Sequence, residues 1–476
     1  MKLFVLPLLA FTGAALLACA SDPATPSDLD AGTCAGNLDA FRFPHGGDGS
    51  ADPFGAKAAG QARAGRIRNA SQIVQPEDAR NKVRVGDFVL ANDRIALYIE
   101  AEGESDGYNP LGGEILALEP VGDDGRPTAV SYYNETLVMF ARQTVKPEKV
   151  TVLADGSDGK AAIVRVSGKL ENVPFLDTFK AIFPDEYGFP AAIDYVLEPG
   201  ALRVQLRLSL VNTTIDPVDF KNKQFLGFFH AARSDIFTES QGYAEAKGES
   251  PWVAFDSGKA GFLVRAVGST LRAELEVSGF QLFSLKGLTL DACATKTVDY
   301  VEMIAGAPGL DGVLEGKRAA LAEAPWREVR GVVKEEGGAA IPGALVHVTA
   351  ADGRYLVRTS ADATGAFAVH VPPGDALLTP TAQGWAIPAA TSVPTAATTI
   401  DLTLPRPGLL EVRVKDATTN EPIPARVQVI PSTAIAAAPP SYGLTDHEEI
   451  EGRLWQEFAI DGRALLKVPV GAHRVI

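Results

Sequence analysis

The sequence predicts a mainly β protein: one large antiparallel β-sandwich followed by two small seven-stranded sandwiches. Three observations carry that expectation. Stretches with apolar side chains at every second position recur from about residue 88 to 305. Gly and Pro number 46 and 32 in 476 residues, which supplies many turns and leaves few windows for long helices. Beyond residue 327 one ordered set of strand and turn marks occurs twice. Lys and Arg total 44 against 59 Asp and Glu, a net charge of −15, so the chain has no electrostatic reason to seek nucleic acid. Three cysteines exclude a disulfide-dense mini-scaffold and a Cys-rich zinc module.

The first 18 residues read as an address. Met1-Lys2 precedes an apolar run from Leu3 to Leu17, interrupted by Pro7 and Gly13 and too short to span a bilayer comfortably. It ends in Leu16-Leu17-Ala18-Cys19, where an ordinary signal peptidase site would have small residues and no cysteine. This segment resembles a bacterial lipoprotein signal. The resemblance implies cleavage before Cys19, acylation of that residue with palmitate-type chains, and attachment to a membrane; several acyl chains make such an anchor effectively permanent. The residue after the cysteine is Ala20 and not Asp, so the resemblance points to the outer membrane or cell surface. Residues 19–36 are small, polar and Pro-containing, the composition of a disordered tether. After lipidation Cys34 and Cys293 remain. In an oxidising compartment they form a disulfide or stay as two unpaired thiols; a bridge would close a loop worth at most about 5 kcal/mol.

Residues 37–309 form the large β domain. Asp87 to Leu90 and Arg94 to Ile99 flank the turn pair Asn92-Asp93. Val150 to Leu153 and Ala162 to Val166 flank Asp155-Gly156-Ser157-Asp158-Gly159 and read as a hairpin. Ile193 to Leu197 meets the strictly alternating Arg203 to Leu210, whose polar members are expected to face water, across Glu198-Pro199-Gly200. Further strands are expected at Gly261 to Arg265 and Leu271 to Val277, so the domain is one of stacked antiparallel sheets. The segment from Ile193 to Asn212 resembles the strand pair of mutarotase-like super-sandwiches; a generic two-sheet β domain is the other reading. Residues 310–326 hold a linker helix, capped by Asp311, carrying Val313, Leu314 and Leu321 at helical spacing and stopped by Pro325, which reads as a spacer.

The repeat occupies 327–405 and 406–476. The first copy has Gly331 to Lys334, Ile341-Pro342-Gly343-Ala344, Gly365 to Val371 and the corner Pro372-Pro373-Gly374. The second has Val412 to Lys415, Pro422-Ile423-Pro424-Ala425 and Gly462 to Val468 before Pro469-Val470-Gly471. An insertion near Pro431 to Phe458 lengthens the second copy, which reads as incomplete at its C-terminal strand. This pattern resembles the carboxypeptidase regulatory-like domain, a transthyretin-like or Ig-like sandwich. The resemblance implies a non-catalytic role. In similar bacterial lipoproteins such tandem modules precede a PHP-type metallohydrolase domain, so an accessory region of a secreted metallohydrolase is the alternative to a surface-anchored binding or spacer protein.

The inventory of chemistry is thin. The six histidines lack any pair within four residues, so no H-x-H or H-E-x-x-H metal motif exists. His347 and His370 fall in strands of the first copy, where they could be cross-sheet neighbours. Asp446-His447-Glu448 is the densest ligand-like cluster and reads as a solvated acidic loop or a weak cation site. No G-x-S-x-G elbow or phosphate cradle is present, and no catalytic residue or cofactor is implied. Sugars pack against aromatic faces, which makes Trp385, in a loop, and Trp455, in the insertion, the candidates for carbohydrate or polymer binding.

Overall fold

Alternating strands pair with their sequence neighbours wherever a short polar turn joins them. The computed structural model describes Cys34 and residues 43–476, apart from 104–107, 131–134, 230–233, 278, 433–437 and 444–454. Phe88–Asn92 pairs with Ile95–Ile99, and Asn92 Oδ1 makes the turn by accepting from the amides of Arg94 and Ile95 at 2.8 and 2.9 Å. Gln143–Asp155 pairs with Ala162–Asn172 along its whole length, a longer hairpin than the alternation alone indicates. Pro190–Leu197 lies against Arg203–Val211 with Tyr195 opposite Leu206. Ser209 departs from the expected outward polar face: it is buried, and its hydroxyl bonds that of Thr297 at 2.8 Å on the next strand.

Thirteen strands make one antiparallel sheet. Its middle runs in space through Trp252–Asp256, Gly261–Ala266, Thr295–Ala305, Arg203–Val211, Pro190–Leu197, Ala162–Asn172, Gln143–Asp155, Glu135–Phe140 and Gln224–Phe229. A four-stranded sheet of Ala62–Arg66, Phe88–Asn92, Ile95–Ile99 and Ile115–Pro120 covers one face. Leu90, Leu97 and Ile99 share a core there with Val164, Tyr195 and Leu206. The result is an unequal antiparallel sandwich, as the alternation predicts. No helix among the described residues is long and apolar enough to cross a membrane.

The helix Gly309–Ala320 is not a free spacer. Leu310, Val313 and Leu314 are buried in a core that also takes Ala254, Leu263 and Ile304 from the outer face of the large sheet and Val329, Val346 and Val357 from the unit that follows. Strand alternation explains the dual burial: Val253 and Val264 point into the sandwich, while Ala254 and Leu263 point out under the helix. Asp311 does not cap the helix. Pro308 holds the cap position without a side-chain bond, and the Asp311 carboxylate instead accepts from the His370 amide at 3.1 Å and meets its ring Nδ1 at 2.8 Å.

The unit after the helix is a seven-stranded sandwich. Ala366–Val371, Arg327–Glu335 and Leu402–Leu404 form one sheet; Tyr355–Ser360, Leu345–Ala350, Ala376–Thr381 and Thr391–Val393 form the other. His347 and His370 therefore sit in different sheets and are not neighbours. The last unit repeats the pairings of the first five of these strands. Gly408–Arg413 pairs with Arg463–Val468, and Ala425–Pro431 takes Trp455–Ala459 on one side and His473–Val475 on the other. Five strands, not seven, are present among its described residues, and Leu409 and Leu465 stay exposed on the two-stranded sheet.

Candidate functional site

Trp385 is the sequence candidate that the fold places in a cleft. The strand Ala376–Thr381 ends in Ala382-Gln383-Gly384-Trp385, a turn closed by the Trp385 amide on the Ala382 carbonyl at 3.1 Å. Gly384 adopts φ +90°, and a Cβ there would lie 2.4 Å from the Lys467 carbonyl, so glycine is what lets this loop touch the last unit. A cleft of about 420 Å³ opens between the two small units, lined by Glu335, Ile341, Pro342, Gln383, Trp385 and Lys467. Its size falls in the range of small-ligand sites. The Lys467 ammonium lies 4.3 Å from the indole centroid, a cation–π contact that covers one ring face. The indole Nε1 is buried without an acceptor among the described residues. A carboxylate, an amide and an ammonium around an aromatic ring suit a neutral hydroxylated ligand, which would have to displace Lys467 to stack.

Trp455 begins a strand opposite Val429, and its side chain lies outside the described residues, as do Asp446, His447, Glu448 and Cys19. Cys34 and Cys293 are joined by a disulfide with Cα atoms 5.4 Å apart. Among the described residues no group of three His, Cys, Asp or Glu could hold a metal ion.

A second polar centre lies where all three units meet, and sequence reasoning missed it. Arg358, on Tyr355–Ser360, is buried between the units. Its guanidinium sits 3.6 Å from the Tyr243 ring centroid, pairs with Asp235, and lies 3.7 Å from the Asp256 carboxylate. Its Nη1 donates to the Tyr442 carbonyl at 3.1 Å, and the Tyr243 hydroxyl donates to Asp256 at 2.7 Å. Tyr243, Asp235 and Asp256 belong to the large unit, Tyr442 to the last. Gly443, at φ +66°, ends the short turn that delivers Tyr442; a Cβ there would meet Tyr243 Cβ at 2.5 Å. Tyr442 stacks on His347 with centroids 3.9 Å apart, while the two His347 ring nitrogens bond the Tyr355 and Thr381 hydroxyls at 2.9 and 2.8 Å. Burial holds the His347 pKa down at about 3, with the nearby Arg358 charge acting the same way.

His370 behaves in the opposite sense. Its bond to Asp311 raises its pKa, against a smaller desolvation effect. A raised folded-state pKa adds stability that is full below about pH 6.5 and is lost as pH rises through the folded value. His370→Gln is therefore expected to lower stability at pH 6 and to approach the wild-type value by pH 8.5, measured by urea denaturation at both.

Comparison with known proteins places part of this chain. No curated protein sequence matches it. Among solved structures it is similar to the Bacillus anthracis TIE protein, at 11% identity over 60% of this chain and 48% of that one with a TM-score of 0.16. It is similar to a Streptococcal ancillary pilin at 13% identity over 44% and 63%, TM-score 0.18. It is similar to the α-galactosidase from Lactobacillus brevis at 10% identity over 55% and 45%, TM-score 0.30. The chain thus spans about half to two thirds of the length of these structures. Residues 328–405, the seven-stranded unit that carries Arg358 and most of the cleft, match the family model of the carboxypeptidase regulatory-like domain.

Proposed function

We propose that this is a non-catalytic, lipid-anchored lipoprotein of the bacterial outer membrane or cell surface, whose β units form a stiff arm with a carbohydrate- or polymer-binding cleft at Trp385. The observation that carries the reading is the shared core and the Arg358 centre, which fasten the three units to one another instead of leaving linkers between them. The signal-like segment ending at Cys19 supports the anchor, and the indole, carboxylate and amide of the cleft support a hydroxylated ligand. Intact mass of the protein extracted from its native membrane tests the anchor: acyl groups added to a chain that starts at Cys19 are expected. Titration with soluble glycans, followed by tryptophan fluorescence, tests the cleft. Trp385→Ala is expected to weaken binding about tenfold, ~1.4 kcal/mol, while leaving the thermal unfolding midpoint of the large unit in place. Unchanged binding in that variant would remove the cleft from the proposal.

A second reading is an accessory region of a PHP-type metallohydrolase. It is favoured by the last unit, where the apolar Leu409, Phe458, Ile460, Leu465 and Val470 are each more than half exposed and open to cover by another domain. The same intact mass separates the two readings, since a metallohydrolase would be much heavier than the mature chain.

A further inference from the structure

The disulfide fixes which end of the large unit can face a membrane. Cys293 lies two residues before the strand Thr295–Ala305. The loop that receives it is held by a dense set of hydrogen bonds. The Cys293 amide donates to the Thr214 carbonyl at 3.0 Å. Asn212, with no exposed surface, donates to the carbonyls of Asp216 and Asp291 at 2.7 and 3.0 Å and accepts from the Thr214 amide and hydroxyl at 3.0 and 2.7 Å. The other end of the same strand carries Ile304, part of the core shared with the helix and the regulatory-like unit. Eleven residues of strand separate the two ends by about 35 Å.

Chain length does the rest. From Cys19 to Cys34 there are 15 residue steps, at most about 50 Å of extended chain. Without the bridge, the first contacts after Cys34 among the described residues are with Arg165, whose guanidinium lies 5.8 Å from the Phe43 ring centroid and donates to the Pro44 carbonyl at 3.4 Å. Phe43 is 24 steps, about 80 Å, from Cys19. Arg165 stands opposite Asp194, and through Arg207 in line with Asp299 on the strand that follows Cys293, so this attachment lies inside the sheet and not at its end. The bridge therefore shortens the leash by more than a third and moves its attachment from the middle of the sheet to its end.

We infer that the Cys34–Cys293 disulfide orients the protein on the membrane, holding the Asn212–Asp216 and Cys293 end of the large unit toward the bilayer and the regulatory-like units away from it. This rests on the acylation of Cys19 proposed above. The partner is the lipid surface to which Cys19 is attached. The surface is selected by the leash and needs no charge complementarity of its own.

The test uses full-length protein made in a lipoprotein-processing bacterium and reconstituted into phosphatidylglycerol–phosphatidylethanolamine vesicles with an acceptor-labelled lipid. A fluorescent amino acid is placed at Ile215, exposed at the bridged end, or at Lys160, exposed in the hairpin turn at the other end. Energy transfer from Ile215 is expected to be about twice that from Lys160, given the strand-length separation of the ends. The difference should shrink in Cys34→Ser/Cys293→Ser, where a longer leash leaves from the middle of the sheet. Reduction of the vesicle-bound wild type should give the same loss, which guards against a variant that folds poorly. Equal transfer from both sites in vesicle-bound, oxidised protein, or greater transfer from Lys160, overturns the inference. If the protein does not float with the vesicles and its mass shows no acyl groups, the anchor itself has failed and the orientation falls with it.

Discussion

Arg358→Ala is expected to destabilise the protein by about 3–5 kcal/mol and to separate the unfolding of the regulatory-like unit from that of the large unit. The guanidinium is 10% exposed, and it answers the Asp256 carboxylate, itself 5% exposed. Removing it takes away the cation beside that carboxylate, which keeps its bonds from the Tyr243 hydroxyl and the Gly258 amide at 2.7 and 2.8 Å. It also removes the cation from the face of Tyr243 and leaves the Tyr442 carbonyl without its donor. The losses fall on both neighbouring units, Asp256 and Tyr243 in the large one and Tyr442 in the last, so the damage concentrates at the joint and not inside any one sandwich. Arg358→Lys keeps the charge but loses the planar stack and the forked donors, so an intermediate effect is expected. Urea denaturation of the full chain reads both quantities: a single cooperative transition for the wild type, two for Arg358→Ala. A loss under about 1 kcal/mol with one transition preserved would mean that the shared apolar core alone holds the units together.

That joint also marks where the sequence stops being informative. Period-two alternation locates most strands because the requirement is local: one face must be apolar, and neighbours in sequence are neighbours in the sheet. The repeat is legible for the same reason, since Ile341-Pro342 and Pro422-Ile423-Pro424 fall before corresponding strands and the pairings agree. Asp235, Tyr243, Asp256, Arg358 and Tyr442 carry no such signature. They come from three units, spread over about two hundred residues of chain, and each looks like an ordinary surface polar or aromatic residue until the units dock. The helix was open to misjudgement on the same ground: its apolar stripe is visible in sequence, but what covers its other side is not. Asp311 fits an N-cap by position, yet Pro308 takes that place and the carboxylate turns to a histidine 59 residues away. Trp385 was legible as a loop aromatic; the Lys467 that covers it, from the next unit, was not.

The pH dependence of stability offers a sharp reading of the same joint, because the two histidines of the regulatory-like unit pull in opposite directions. His347 is fully buried, and burial holds its folded pKa at about 3, below the ordinary value near 6.5. With a depressed folded pKa the unfolded chain binds the proton first, so His347 contributes stability that is complete above pH 6.5 and is lost as pH falls toward 3. The expected slope approaches ~1.4 kcal/mol per pH unit inside that window. The groups around the ring explain why it cannot simply accept the proton: Tyr355 and Thr381 hydroxyls occupy both nitrogens, Tyr442 covers a face, and the Arg358 cation repels a second positive charge. His370, whose pKa is raised by Asp311, gives the reverse sign above pH 6.5. Stability measured from pH 7.5 down to 5 should therefore fall more steeply in the wild type than in His347→Gln, the two curves converging as pH drops. Restricting the comparison to pH above 5 keeps the ordinary carboxylates ionised in both proteins, so the difference belongs to His347. Parallel curves would show that the ring takes up a proton in place, and the joint would then be wetter than its packing of Tyr442 on His347 requires.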